Sequence, residues 1–231
     1  MKRDLRAPGR RARAAQGRRP ARRRGTSAGY HHGALREALL EAAAGLLQEQ
    51  GVERFTLREC ARRAGVSHAA PAHHFGDARG LLTALAARGF ERLTALMQQH
   101  CAHAPDEPAA QLRAVGQAYI EFALANRAHF QLMFRHDRLA RDDAALQEAG
   151  AAAFEQLRSA LTRYMQAQGR EREDLSGRLL LAWSVVHGFA TLVLEDQVRG
   201  FRGARTPAAF ARAAGGEVLR LLEAGLLTPA P

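Results

Sequence analysis

The chain has 231 residues, 47% of them hydrophobic, and a formal net charge of +11. This length can bury a substantial core in one large domain or two small ones. The longest uncharged stretch, 179–194, falls short of the roughly 20 residues needed to cross a bilayer, so we predict a buried core helix there and no membrane partner. Cys60 and Cys101 make no disulfide framework, which is typical of a reducing, cytoplasmic compartment.

The positive charge is concentrated at the N-terminus. Residues 1–30 carry eleven Lys or Arg and one Asp, whereas 31–100 have a net charge of +1 and 101–231 are neutral. Residues 1–29 are rich in Arg, Ala, Gly and Pro, so we predict a disordered arm, with order beginning near Tyr30. A concentrated cationic arm favours a polyanion such as nucleic acid. The alternatives are a solubilising leader or a mitochondrial-type one, since no apolar segment follows that would make a secretory signal.

The first two helices are predicted from periodicity and capping. Apolar residues recur at three- and four-residue steps over 35–47, and Gly51 follows as a helix stop. Thr56 with Glu59 three residues later is a capping box, which predicts the start of a second helix. Gly65 ends that helix after only two turns.

The next two helices follow without a long linker. Ser67 is the predicted N-cap of a short third helix over 68–74, and Gly76 terminates it. Asp77 then caps a long fourth helix that continues to about Gln99.

Helical patterning dominates the second half as well. Two prolines in 104–108 mark a boundary, and no segment alternates as a strand would. The predicted helices there cover 109–125, 127–134, 143–168, 174–199 and 207–224. The fold class is therefore all-α.

The segment 56–75 has the pattern of a DNA-reading unit. Two short helices joined by a tight turn are too small to fold alone, so they must pack against the apolar stripe of 35–47. This packing leaves the second of them, the third helix of the chain, protruding. A major groove about 12 Å wide admits one α-helix, and the N-terminal end of that helix meets the base edges. The alternative is an ordinary helical hairpin in a bundle.

Residues 30–95 resemble the N-terminal domain of the tetracycline-repressor (TetR) family. The matching stretches are YHHGALREALLEAA (30–43), FTLRECARRAGVS (55–67) and HHFGDARGLLTAL (73–85). The resemblance implies a homodimer that binds double-stranded operator DNA with its third helix in the major groove. It divides the chain into an arm, 1–29, a helix-turn-helix domain, 30–95, and an effector-binding and dimerisation domain, 96–231.

The resemblance, the basic arm and the predicted helix starts at Thr56 and Ser67, whose backbone N–H groups can bind phosphate, together assign a set of residues to DNA contact. These are Arg22, Arg23, Arg24, Tyr30, His31, His32, Thr56, Arg58, Ser67, His68, Ala69, Ala70, His73, His74 and Arg79. The chain departs from the family pattern at Ala72, where relatives usually carry a Tyr that contacts phosphate, and at Ala78, where they usually carry a Lys. We expect Arg79 and the arm to replace these contacts.

The segments 108–134 and 179–196 resemble a C-terminal domain type known for a Trp-His-Gly signature, here Trp183, His187 and Gly188. In relatives this half binds a small effector inside the bundle and pairs with a partner through the last two long helices. The aromatic and imidazole side chains assigned to effector binding are Phe122, Phe130, Phe134, Trp183 and His187. The alternative for each is a role in the core.

These observations predict a transcriptional regulator, and more specifically a repressor released from its operator by a small molecule. The alternative is a ligand-sensing or protein-interaction bundle in which DNA binding by the helix-turn-helix domain, 30–95, is weakened. We call this domain the reading head. Because no nucleophile, phosphate-loop or dinucleotide motif is present, we predict no enzyme and no cofactor. The His100-Cys101-x-His103 cluster does not have a structural zinc spacing, so no metal site is predicted there.

Overall fold

The computed structural model describes residues 27–203 and 205–226, and it describes side chains from Gly33 onward except that of Arg202. The predicted all-α fold is confirmed, because these residues form helices and contain no strand. The helices are α1 Ser27–Gln50, α2 Leu57–Ala64, α3 Ala70–Phe75, α4 Ala78–His103, α5 Pro108–Ala125, α6 Arg127–Met133, α7 Ala144–Ala167, α8 Leu175–Leu194, α9 Arg199–Arg202 and α10 Pro207–Leu226. Helix α1 begins at Ser27, slightly before the predicted onset of order at Tyr30.

The capping signals of α1 and α2 act as predicted. Gly51 ends α1 with a φ of 75°, a value that glycine tolerates and other residues rarely adopt. The backbone N–H of Glu59 donates to the Thr56 side chain at 3.2 Å, and Gly65 ends α2 in the left-handed conformation. Helix α2 packs against α1, whose stripe is buried at Leu39.

The prediction for the start of α3 is wrong. The helix begins at Ala70 and has no side-chain cap, while Ser67 contributes only its backbone carbonyl, which accepts from Ala70 N–H at 3.0 Å. Pro71 explains the shift, because it lacks an N–H and is most favourable in the first turn of a helix. Residues 68–69 instead form a turn that leads into α3.

Helix α4 connects the two halves of the molecule. Asp77 caps it by accepting from Gly80 N–H at 2.8 Å, as predicted. It continues to His103, across the predicted domain boundary at 95, and contacts α1 and α3 on one side and α5, α6 and α7 on the other. Gly89 allows α6 to approach closely, because a Cβ there would meet the Met133 Sδ at 2.7 Å.

Helices α5 to α10 form a bundle around large buried side chains such as Phe122 and Tyr164. The short helix α9 was not predicted, and the observed bounds of the other helices agree with the predicted ones within about two residues, apart from the end of α8. That helix stops at Leu194, and Asp196 then turns the chain with a φ of 55°.

The prediction that 179–194 is a buried core helix is wrong for the single chain. In the part of the chain that the structure describes, α8 is the one helix long and apolar enough to cross a membrane, and only about a third of its most apolar stretch is buried. Leu180, Leu181 and Leu192 are exposed. No other helix approaches Gly188 closely either, because a Cβ added there would meet nothing within 4 Å.

Candidate DNA interface and effector cavity

The leading end of α3 faces solvent. Ser67, His68 and Ala69 are exposed and Ala70 is half-buried, whereas Pro71 is buried against the body of the protein. The small and polar side chains predicted to approach base edges therefore lie on the surface, and a buried proline fixes the helix beneath them.

Helix α2 adds exposed cations beside this end. Arg58 is exposed and forms no ion pair among the described residues. Arg62 is held by Glu59 at 2.5 Å, and this hydrogen bond lowers the pKa of the Glu59 carboxyl. Thr56 is exposed, but its hydroxyl is already used as the cap of α2.

The far end of α3 carries the two histidines assigned to the DNA backbone. His73 is exposed and His74 half-buried, and their ring centroids lie 5.6 Å apart. The neighbouring Phe75 ring lies 5.3 Å from the guanidinium carbon of Arg36 on α1.

The remaining predicted DNA contacts lie near the start of the chain. Tyr30, His31 and His32 are in the first turns of α1, where only the backbone is described. Arg22, Arg23 and Arg24 lie outside the described residues.

Arg79 lies in the first turn of α4, and its guanidinium donates to the Leu139 carbonyl at 2.5 Å, so it contacts the second half of the chain. Its contact with DNA stays a prediction. Thr83 lies one turn later, donating to the Arg79 carbonyl at 2.7 Å and accepting from Ala140 N–H at 2.9 Å. The first turn of α4 is thereby tied to the segment between α6 and α7.

A second set of contacts joins that segment, residues 134–143, to the 3₁₀ turn Val52–Arg54 of the reading head. Glu53 pairs with Arg135 at 2.8 Å and also with Arg138. Arg135 in turn pairs with Asp137 at 2.8 Å, and that hydrogen bond lowers the pKa of the Asp137 carboxyl to about 2. We call residues 134–143 the junction loop.

The bundle contains an apolar cavity of about 480 Å³, within the usual range for small-molecule sites. Phe90, Leu93 and Met97 of α4 line one wall, and residues of α5, α7, α8 and α10 line the others. Phe154 and Trp183 are both partly exposed at its edge, with ring centroids 6.2 Å apart.

The five residues assigned to effector binding do not all lie at one site. Phe134 and Trp183 line the cavity. Phe130 and His187, together with Phe134 again, line a second depression of about 380 Å³ between the bundle and the end of α1. Phe122 is buried and lines neither.

Tyr119 is a cavity residue that the sequence reasoning missed. Its hydroxyl lies 2.7 Å from Nδ1 of His187, and its ring meets that of Phe130 edge-on. Burial raises the pKa of Tyr119 and lowers the pKa of His187, so the pair is neutral at pH 7. The available signal was a tyrosine in the apolar face of α5, because a buried hydroxyl needs a polar partner.

The histidines and cysteine near the end of α4 have separate partners. His100 lies 3.2 Å from Glu121, and His103 Nδ1 lies 2.7 Å from the Gln99 carbonyl. Burial raises the pKa of the Cys101 thiol. No group of three metal-ligating side chains is placed to hold an ion within 27–203 and 205–226.

Two sequence models of one family match the chain. Residues 39–85 match the model described as bacterial regulatory proteins, tetR family, and residues 112–220 match the model described as tetracyclin repressor-like, C-terminal domain. The first covers the reading head and the second covers most of the bundle. The Trp-His-Gly type of C-terminal domain is not specified by either description and stays a prediction.

Individual relatives agree with these matches. The HTH-type transcriptional regulator BetI of Burkholderia thailandensis is 39% identical over 80 residues, 35% of this chain and 41% of the relative, so the match spans less than half of that protein. A structure of a protein with unknown function from Rhodococcus sp. RHA1 is 37% identical with a TM-score of 0.69, covering 85% of this chain and 100% of that one. The TetR family transcriptional regulator PfmR from Thermus thermophilus is 27% identical with a TM-score of 0.55, covering 79% and 97%. The chain belongs to the TetR family of bacterial regulatory proteins.

Proposed function

We propose that the protein is a cytoplasmic transcriptional regulator that binds operator DNA as a homodimer and is released by a small molecule bound in its cavity. The observation that carries this proposal is the path of α4. That helix begins one residue after the turn that ends α3, and its middle forms a wall of the cavity. A ligand in the cavity therefore contacts the same rigid element that positions the DNA-reading helix.

DNA binding is supported by the exposed leading end of α3 and the cations beside it. Phosphate contacts position a protein on DNA, whereas side chains that reach base edges specify the sequence. We assign the first role to Arg58 and to the arginines of the arm, and the second to His68 and its small neighbours.

Dimerisation is supported by the apolar surface of the last two long helices. Leu180 on α8 is 62% exposed and Leu221 on α10 is 63% exposed, although each is in an apolar helix. Helices α8 and α10 pack against each other, so the two exposed leucines lie on neighbouring helices. A partner's matching face buries them and also spaces two reading heads, which a palindromic operator requires.

Release by an effector is supported by the junction loop. Phe134 and Leu139 of this loop line the cavity, while Leu139 also binds Arg79 through its carbonyl. A ligand shifts a two-state equilibrium only if it binds the two states unequally. A molecule that displaces Leu139 or Phe134 has such a preference, because it also moves the start of α4 and the contacts of Glu53.

A ligand-sensing or protein-interaction bundle with a weakened reading head is the second candidate. Ala72 is exposed on α3 and Ala78 opens α4, and neither can make the polar contact seen at those positions in the family pattern. Sequence-specific binding by the reading head would exclude it.

The test is a gel shift on DNA fragments selected by the purified full-length protein from its own genome. We expect a specific fragment to be bound. Arg58→Ala should weaken binding and reduce the magnitude of the slope of log affinity against log salt by about 1.8, because the dimer loses two phosphate contacts at about 0.9 each. Arg172→Ala is the matched control, because Arg172 is an exposed arginine between α7 and α8, far from the head. If no fragment is bound in preference to bulk DNA, the proposal fails.

A further inference from the structure

The cavity has a shape and a charge pattern that indicate what it binds. On α7 its lining runs from Leu146 to Leu157, a distance of about 16 Å at 1.5 Å per helical residue. Over that length the walls are apolar, with Phe90, Leu93 and Met97 on the α4 side. The cavity is therefore suited to an elongated apolar body.

Charged side chains line only the two ends of the cavity. At the end far from the reading head, Arg113 of α5 pairs with Glu223 of α10 at 2.5 Å, so the two charges compensate each other. At the end next to the head, the lining includes Arg141 and His136 of the junction loop and no carboxylate.

Arg141 is the uncompensated charge. It is exposed and has no ion-pair partner among the described residues. The nearby carboxylates are engaged elsewhere or face away: Asp137 holds Arg135, Asp143 caps α7 by accepting from Leu146 N–H at 2.9 Å, and Asp142 does not line the cavity. The net charge of the lining is thus one positive charge, at the mouth of an apolar chamber.

We propose that the cavity binds an amphipathic monoanion, a carboxylate on an elongated apolar body, with the carboxylate on Arg141 and the body along α7. This inference rests on the proposed role of the cavity as the effector site and adds the chemical class of the effector. A guanidinium binds a carboxylate through two parallel hydrogen bonds, and an exposed position lets both groups keep part of their water. The apolar body supplies most of the affinity, about threefold to fourfold for each buried methylene.

The same geometry couples the ligand to the reading head. Arg141 lies two residues after Leu139, whose carbonyl holds Arg79, and one after Ala140, whose N–H is held by Thr83. A carboxylate on Arg141 therefore acts on the loop that fixes the start of α4, in addition to any displacement of Leu139 or Phe134 by the apolar body.

The experiment uses Trp183, the only tryptophan of the chain, as a fluorescent reporter in the cavity lining. Decanoate, 1-decanol and decylammonium are titrated separately into the full-length protein, the two ions below their micelle concentrations and decanol below its solubility limit. We expect decanoate to bind about twofold to fivefold more tightly than decanol, because the ion pair with Arg141 is exposed to solvent, and we expect decylammonium to bind most weakly. Arg141→Gln should abolish the preference for decanoate without changing the affinity for decanol.

Matched controls separate this site from non-specific binding. Arg127→Gln removes an exposed arginine of α6 that does not line the cavity, and it should keep the preference for decanoate. Gly150→Leu places a side chain in the chamber and should abolish binding of decanoate and decanol. Gly150→Ala should leave binding intact, because its Cβ would lie 4.0 Å from the Phe90 ring.

Equal affinities for decanoate and decanol, tighter binding of decylammonium, or no saturable binding at all would each overturn the proposal. So would an Arg141→Gln protein that still prefers decanoate. The gel shift gives an independent result: a protein that binds its operator but not decanoate remains a regulator and loses only this class of effector.

Discussion

His129 is a buried histidine whose Nε2 has no hydrogen-bond partner among the described residues, an uncommon state for a polar atom in a core. It lies on α6, which packs against α1 and α4, and only 9% of its surface is exposed. Desolvation lowers its pKa, and the positive charges of Arg92 and Arg88 lower it further, although Glu41 opposes them. The neutral form is therefore the one that the fold accommodates.

This burial makes stability depend on pH. Because the folded pKa of His129 is depressed, its contribution is fully present above the unfolded value of about 6.5 and is lost as the pH falls through the folded pKa. We expect His129→Met to lose less thermal stability between pH 7.5 and pH 5.0 than the wild type, as measured by the melting temperature at both values. The pKa of His187 is lowered too, so part of the pH dependence of stability should remain in the variant. A variant that loses as much stability as the wild type contradicts this assignment.

The sequence predicted residues whose role is local and missed those whose partner is distant. Thr56, Gly65 and Asp77 act within a turn of themselves, so capping rules identify them. Arg79 had no such signal, because its acceptor is sixty positions away. The same holds for Tyr119, whose partner His187 is on another helix. Such contacts are fixed by the packing of helices, which residue types alone do not specify.

At the scale of elements, a buried hydroxyl joins α4 to the junction loop, beside the bond from Arg79 to the Leu139 carbonyl. Thr83 is 1% exposed, and its hydroxyl oxygen accepts from the Ala140 N–H, which lies in the junction loop, outside any helix. We expect Thr83→Val, which has nearly the same shape, to lower the free energy of unfolding by about 1–3 kcal/mol, because it leaves that N–H unpaired. Thr83→Ser keeps the hydroxyl and should retain most of the stability. Chemical denaturation of both variants measures the difference, and a Thr83→Val protein that loses no more free energy of unfolding than Thr83→Ser would mean that the hydrogen bond contributes no more than the methyl group that Thr83→Ser removes.

Helix positions were predictable because apolar periodicity and capping residues are local features of the sequence. Two helices depart from this rule. Helix α3 begins later than expected because the preference of Pro71 for the first turn outweighed a serine cap. Helix α8 was predicted as core from its apolar composition, but composition does not say whether an apolar face packs inside one chain or on a second one.

At the scale of the whole molecule, charge separates the arm from the body. Residues 1–24 contain all eleven cations of the predicted arm and precede α1, so we expect a protein without them to keep its helices, which circular dichroism can check. We expect this deletion to weaken operator binding and to flatten its salt dependence by about 0.9 in slope for each phosphate that the arm no longer neutralises. The comparison is between gel-shift affinities of the full-length and shortened proteins at several salt concentrations. An unchanged slope would show that the arm does not bind phosphate.

The exposed face of α8 and α10 leads to the last prediction, which concerns assembly. In a two-fold dimer each residue of the interface occurs twice, so Leu221→Arg removes two apolar side chains and adds two charges. Burying a leucine contributes about 1.5 kcal/mol or more, so the dissociation constant of the dimer should rise by at least about a hundredfold. Light scattering should then give the monomer mass where the wild type gives twice that value, and operator binding should fall with it, since one head reads only half a site.

Ala102→Arg adds the same charge to an exposed position near the end of α4 and should leave the dimer intact. Circular dichroism establishes that both variants keep their helices. If Leu221→Arg is folded and still dimeric, the pairing surface lies elsewhere, and Leu180 and Leu192 need another explanation. If it is monomeric and still binds the operator with wild-type affinity, the spacing of two reading heads is not what the operator recognises, because a single head would then hold the site alone.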